Sequence, residues 1–140
     1  MNNINFDDLE KEIKDLQTKM QERGFQCIKE ISKEIFDKYP ELHSFSWDQY
    51  TPYFNDGDEC VFRVNDWLKV QFEDGYILED WSSTSRKYAK NESPKYMDAA
   101  DEAYKLVSSI PEDVMKKIFG DHIEVTIRRN GIEVEDYEHD

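Results

Sequence analysis

Apolar side chains recur at Phe6, Leu9, Ile13, Leu16 and Met20, three and four residues apart, with charged residues between them. That spacing is a narrow apolar seam at coiled-coil period, and it predicts an amphipathic helix. Asn5 is a suitable cap, and Asp7 and Asp8 suit the positive end of the helix dipole. The pairs Glu10 with Lys14 and Asp15 with Lys19 add support one turn apart. Beyond Met20 the stripe drifts through Gly24, Ile28, Ile31 and Ile35 and is widened by Phe25, Cys27 and Phe36, which predicts a broader buried face. Pro40 cannot continue a helix and disfavours helical geometry in the residue before it, so the helix ends near Lys38.

An unbroken helix over 6–38 is about 50 Å long at its usual rise, whereas a compact domain of this chain length is about 35–40 Å across. Either the helix bends at Gly24 or its first half projects. A projecting seam exposes apolar surface that monomers avoid. Phe6, Leu9, Ile13, Leu16 and Met20 are therefore expected to contact either the body or a second copy in a homodimer. Residues 1–40 form the helix, within the same domain or as a projecting dimerisation arm, and residues 41–140 form an α+β body.

After Pro40 the period changes to two. Phe45 and Trp47 alternate with Ser44, Ser46 and Asp48; Cys60, Phe62 and Val64 repeat the pattern, as do Leu68, Val70 and Phe72. Glu73-Asp74-Gly75 is a hairpin turn leading to Tyr76, Leu78 and Trp81. These segments predict four strands of an antiparallel meander. Residues 82–87 are small and polar, read as a loop, and hold the densest local positive charge. Ser93-Pro94 starts a helix with Tyr96, Met97, Ala100, Tyr104 and Val107 on one side. Ile110-Pro111 restarts a short one with Val114, Met115, Ile118 and Phe119, and Gly120 stops it. Ile123, Val125 and Ile127, a turn at Asn130-Gly131, then Ile132 and Val134 form the strongest hairpin signal. The fold class is α+β: a long N-terminal helix packed with two shorter helices on an antiparallel sheet of meander plus C-terminal hairpin.

Generic packing explains residues 47–62, WDQYTPYFNDGDECVF, least well. Trp47, Tyr50, Tyr53, Phe54 and Phe62 surround the turn-forming centre Asn55-Asp56-Gly57-Asp58, while Pro52 pushes Thr51 toward an extended conformation. One reading is a hairpin connection whose aromatics plug a core edge and whose acids stay wet. The other is a binding loop on a rigid support, with Tyr50, Tyr53, Asn55, Asp56 and Asp58 as its binding residues. This stretch, together with the end FGDHIEVTIRRNGIEVEDYEHD, resembles small proteins of tailed phages and their bacterial hosts. The resemblance covers roughly a quarter to a third of the chain. That group has no established reaction, so the resemblance implies a setting and carries over no catalytic residue.

Composition narrows the chemistry. The chain has 140 residues, enough for one core, and its charged fraction of 36% with a mean hydropathy of -0.89 leaves little apolar surface to spare. No apolar run approaches a membrane span, and Met1-Asn2-Asn3 leads straight into an acidic amphipathic segment rather than a signal peptide. A cytoplasmic location is expected, in the host cytoplasm if the chain is phage-encoded. Cys27 and Cys60 are widely separated and read as reduced, buried thiols. The net charge of -14 argues against nucleic acid or an anionic membrane as direct partner. Residues 1–40 hold nine acids and seven bases against twenty-three and eleven in the rest, so the body carries the excess.

No catalytic constellation emerges. With Gly57 at the sixth position of a calcium loop, the first, third and fifth positions fall on Pro52, Phe54 and Asp56 and the twelfth on Arg63, so the pattern fails. His43, His122 and His139 lack zinc-site spacing, and Asp58 and Glu59 beside Cys60 oppose a reactive thiolate. No metal or cofactor is expected. The primary expectation is a non-enzymatic acidic interaction protein that binds or inhibits a host protein through its basic surface, of anti-defence or nucleic-acid-mimic type. The alternative is a small-ligand or metal-binding domain, a hydrolase included, centred on the loop 50–58 with His122 in reach.

Overall fold

The structure is a computed structural model describing residues 5–52, 57, 60–65, 67–89 and 91–138. Helix α1 (Phe6–Lys38) runs unbroken. At its start the Asp7 N–H donates to Asn5 Oδ1 at 2.9 Å, and at its end the Tyr39 N–H donates to the Ile35 carbonyl, as the capping residue and Pro40 predict. Strands β1 (Leu42–Tyr50), β2 (Arg63–Val64), β3 (Leu68–Phe72) and β4 (Ile77–Trp81) follow. Then come helices α2 (Ser85–Tyr88), α3 (Pro94–Ser109) and α4 (Glu112–Phe119), and the hairpin β5 (Ile123–Arg128) and β6 (Gly131–Asp136).

All pairings are antiparallel, in the order β4-β3-β1-β5-β6, with β2 paired to β1 beyond the end of β3. Strands β2 and β3 lie on one line along the same edge of β1, so the four expected strands form a meander of three lines, β1, β2 with β3, and β4. Cys60 and Phe62 lie outside that ladder, where a longer strand was expected. β1 sits at the centre because the C-terminal hairpin pairs along its other edge, Phe45 opposite Ile127 and Trp47 opposite Val125. The hairpin loop is Arg129-Asn130, one residue earlier than expected, since Gly131 already pairs with Arg128. The 82–87 segment holds the short helix α2 rather than loop alone, and its Arg86 is drawn to Asp98 and Asp101 of α3 at 2.7 and 2.9 Å.

Period two sorts the strand residues onto two faces. Phe45, Trp47, Leu68, Val70, Phe72, Leu78, Val125 and Ile127 are buried against Ile28, Ile35 and Phe36 of α1, the alanines Ala99, Ala100 and Ala103 of α3, and Met115 and Ile118 of α4. Small side chains on α3 let its backbone lie close to the sheet. Tyr96 stacks on Phe72 with ring centroids 3.9 Å apart, anchoring the start of α3 over the β3–β4 hairpin. Arg129, in the hairpin loop, donates to the carbonyls of Phe36, Pro40 and Leu42 at 2.8–3.1 Å and lies over the Phe36 ring. One guanidinium thereby caps α1, braces the link to β1 and holds the hairpin, a use of its fork that lysine cannot reproduce.

The first half of α1 projects. Phe6 is 77% exposed and Leu16 61%, and Leu9, Ile13 and Met20 are also exposed, so the seam does not pack on the body. The body-facing stripe of α1 passes instead through Gln21, Gly24, Phe25 and Ile28, and Cys27 and Ile31 are left on the exposed flank. Both cysteines are exposed, against the expectation from residue type: Cys27 turns away from the body and Cys60 precedes the paired segment.

Gly24 lies within the unbroken helix and is a contact. A Cβ there would lie 2.6 Å from Cδ1 and Cγ1 of Ile118, so α4 rests on the glycine itself. Gly24→Ala gains about 1 kcal/mol of helix propensity yet is expected to lose about 1–3 kcal/mol to overpacking, a net loss in urea unfolding. Ile118→Ala, costly alone, should abolish that penalty, so that the double variant is no less stable than Ile118→Ala.

Candidate functional site

The helices leave the other face of the sheet open. The register places Ser46 opposite Lys69 and Thr126, and Asp48 opposite Glu124, which is in turn opposite Glu135. Three carboxylates thus stand in one row across β1, β5 and β6. Like charges directly opposite on adjacent strands are destabilising. Glu133 adds a fourth acid on this face, held by Arg128 at 2.9 Å.

A bulge in β4 adds two more. Leu68 pairs with Trp81 and Val70 with Leu78, so Glu79 and Asp80 together oppose Lys69 alone. Asp80 takes φ 54°, the left-handed region that an aspartate tolerates better than most residues. The extra residue lets Leu78 and Trp81 both reach the core while two successive acids border the open face. Ser46, Asp48, Asn65, Trp67, Lys69, Glu79, Asp80 and Glu124 enclose a shallow depression of about 310 Å³. Trp67, 58% exposed, is its aromatic wall. Asn65 links this edge, its N–H donating to the Asp48 carbonyl and its side chain accepting from the Trp67 N–H. An indole beside several carboxylates suits a guanidinium or ammonium group, which takes the ring face and an ion pair together.

One end of this face is built on a polar frame. Gln49, fully buried on the helix side, accepts from the Trp47 indole at 3.0 Å and donates to the carbonyls of Met115 and Gly120 at 3.1 and 2.7 Å. The C-terminal end of α4 is tied to β1 in this way. Asp121 then accepts from the Thr51 N–H and hydroxyl at 2.8 and 2.6 Å and from the His122 N–H at 2.9 Å. Tyr50 packs on Tyr137 with centroids 5.7 Å apart. Burial, and then the negative charge of Asp48, pushes the Tyr137 phenol above its ordinary value.

Of the loop residues singled out in the sequence, Tyr50 is half-buried at the stem, and Tyr53, Asn55, Asp56 and Asp58 lie outside the described residues. The stem itself is held firmly by Asp121 and Tyr137. Among the described residues no group of three or more His, Cys, Asp or Glu side chains is placed to hold a metal ion. The open-face acids are spread along a surface rather than gathered at a point. Among the described residues, too, no helix is long and apolar enough to cross a membrane. Comparison with protein-family models, curated proteins and solved structures gives no match. The chain is thus an α+β protein with helices on one face of an antiparallel sheet and an acidic open face on the other.

The Asp121 carboxyl responds to opposing influences. Burial pushes it up, but the Thr51 hydroxyl and N–H, followed by the charge and N–H of His122, outweigh burial and hold it below the ordinary 3.8. A depressed folded value contributes stability that is present above the unfolded value and lost as pH falls through the folded one. Asp121→Asn should therefore cost about 1 kcal/mol at neutral pH, with the gap to wild type closing below about pH 4. Urea unfolding of both proteins across that range checks the sign.

Proposed function

We propose that this is a non-enzymatic interaction protein whose acidic open sheet face docks a basic surface of a partner protein. The observation that carries the reading is the row Asp48, Glu124 and Glu135, an arrangement that costs stability and gains a use when cations cover it. Trp67 beside it is the kind of exposed aromatic that anchors an interface. In the setting that the resemblance implies, the chain is phage-encoded, acts in the host cytoplasm and binds or inhibits a host protein. A nucleic-acid-binding groove is one such basic surface, with the carboxylates standing in for phosphates. The exposed seam of Phe6, Leu9, Ile13, Leu16 and Met20 joins two copies into a homodimer, which covers apolar surface that otherwise faces water.

Capture from host extract on the wild-type chain, compared with variants, tests the docking face. Trp67→Ala should weaken binding of the captured partner by about 30-fold or more while the melting temperature barely moves. Glu124→Gln/Glu135→Gln should also weaken it and raise stability by a few tenths to about 1 kcal/mol. Binding should fall steeply with added salt. Undiminished capture by both variants, with loss in Asp56→Ala/Asp58→Ala, would move the site to the 50–58 loop and overturn the reading.

A further inference from the structure

We propose that the projecting half of α1 pairs with the same segment of a second copy in the antiparallel sense, in one register. The proposal rests on the homodimer reading above and adds orientation, register and a seat on the body. Antiparallel pairing that sets Leu9 against the partner's Met20 also sets Ile13 against the partner's Leu16, so four of the five seam residues meet apolar to apolar, while Phe6 reaches the partner's Arg23. The flanking residues then decide between arrangements. On one side Glu12 meets Lys19 of the second copy, twice by symmetry, and on the other Glu10 meets Gln17.

Parallel pairing loses these contacts, because Glu12 then faces Gln17 and Lys19 faces Gly24. It also brings Asp7, Asp8 and Glu10 of both copies to one end and sets two strongly acidic bodies side by side. Sliding the antiparallel pair to include the exposed Cys27 and Ile31 opposes Glu12 to Glu30 and Lys19 to Arg23, like against like. The register proposed is the one that charge favours.

The body supplies a seat for the incoming helix. Beside the seam, Lys14, Gln17, Thr18, Met20 and Gln21 of α1 form a groove of about 420 Å³ with Lys116 and Lys117 of α4. Gln21 fixes this wall by donating to the Lys117 carbonyl at 2.8 Å. In the proposed register, the second copy's acidic first turns, with Asp7 and Glu10, run past these two lysines. A basic rim on an otherwise acidic protein is thereby placed where the partner's acids arrive.

The full-length protein carrying Cys27→Ser/Cys60→Ser, both at exposed positions, is the test background. Analytical ultracentrifugation should show a concentration-dependent dimer that Leu16→Asp makes monomeric without changing the circular dichroism of the body. Glu12→Lys and Lys19→Glu should each weaken the dimer severalfold, and the double reversal should restore it, because each residue meets the other across the interface. Lys117→Glu should weaken it as well. A chain carrying Glu12→Cys/Lys19→Cys should form a covalent dimer on mild oxidation, since the two positions lie two turns apart within one helix and cannot bridge internally. A monomer at every concentration overturns the homodimer itself. A dimer without rescue and without cross-linking overturns the antiparallel register while leaving the homodimer standing.

Discussion

Strand β1 is hydrogen-bonded along both edges, to β2 and β3 on one side and to β5 on the other. A strand in that position has no freedom of register, since a slip by one residue would exchange Phe45, Trp47 and Gln49 for Ser46, Asp48 and Tyr50 on the helix face. Two consequences follow from the residues β1 carries. Gln49 points inward and is fully buried, so its amide must be satisfied: the Trp47 indole donates to its oxygen, and the carbonyls of Met115 and Gly120 are brought to its NH2. Asp48 points the other way and arrives opposite Glu124. The pinning of α4 and the acidity of the open face are thus two sides of one strand.

Three arginines of the body are engaged in bracing. Arg86 joins α2 to α3 through Asp98 and Asp101, Arg129 binds three carbonyls, and Arg128 holds Glu133. The ion pairs among these are exposed and contribute little stability each, whereas Arg129 gives the Phe36 carbonyl in the last turn of α1 a partner outside the helix. With these arginines placed elsewhere, Lys69 is the one cation among the described residues lining the depression, beside Asp48, Glu79, Asp80 and Glu124. The net charge of -14 is therefore concentrated in effect as well as in amount.

Local signals made most of the elements legible. Asn5 and Pro40 bound α1, alternation marked β1, β3 and β5, and Gly120 closed α4, because each of these depends on a few adjacent residues. The sheet order was not legible, since period two tells which face a residue joins and says nothing of which strand lies beside it. The acid row needed that missing order: Asp48, Glu124 and Glu135 are far apart in sequence and meet only through the pairing of β1 with β5 and β5 with β6. Gln49 left one trace, its phase with Phe45 and Trp47, which placed a polar residue among core positions. Arg129 left none, because an arginine beside a turn ordinarily faces water. Gly24 read as a point of weakness because glycine disfavours helix; its role became clear only with Ile118 packed on it.

The two unusual surfaces sit on different parts of the molecule, and that separation has a consequence for binding. The apolar seam is confined to the projecting turns of α1, and the acidic face belongs to the far side of the sheet from the helices. An arm that pairs antiparallel puts the two bodies at opposite ends of the shared helices, so neither acidic face is covered by dimerisation and their mutual repulsion is reduced by distance and screening. In such a pair, two acidic faces would engage a repetitive or symmetric basic target at two points, and the second contact would benefit from the first. On a target with a single basic patch the arm adds nothing to affinity, so the gain from dimerisation depends on the symmetry of the partner rather than on any further contact made by this chain.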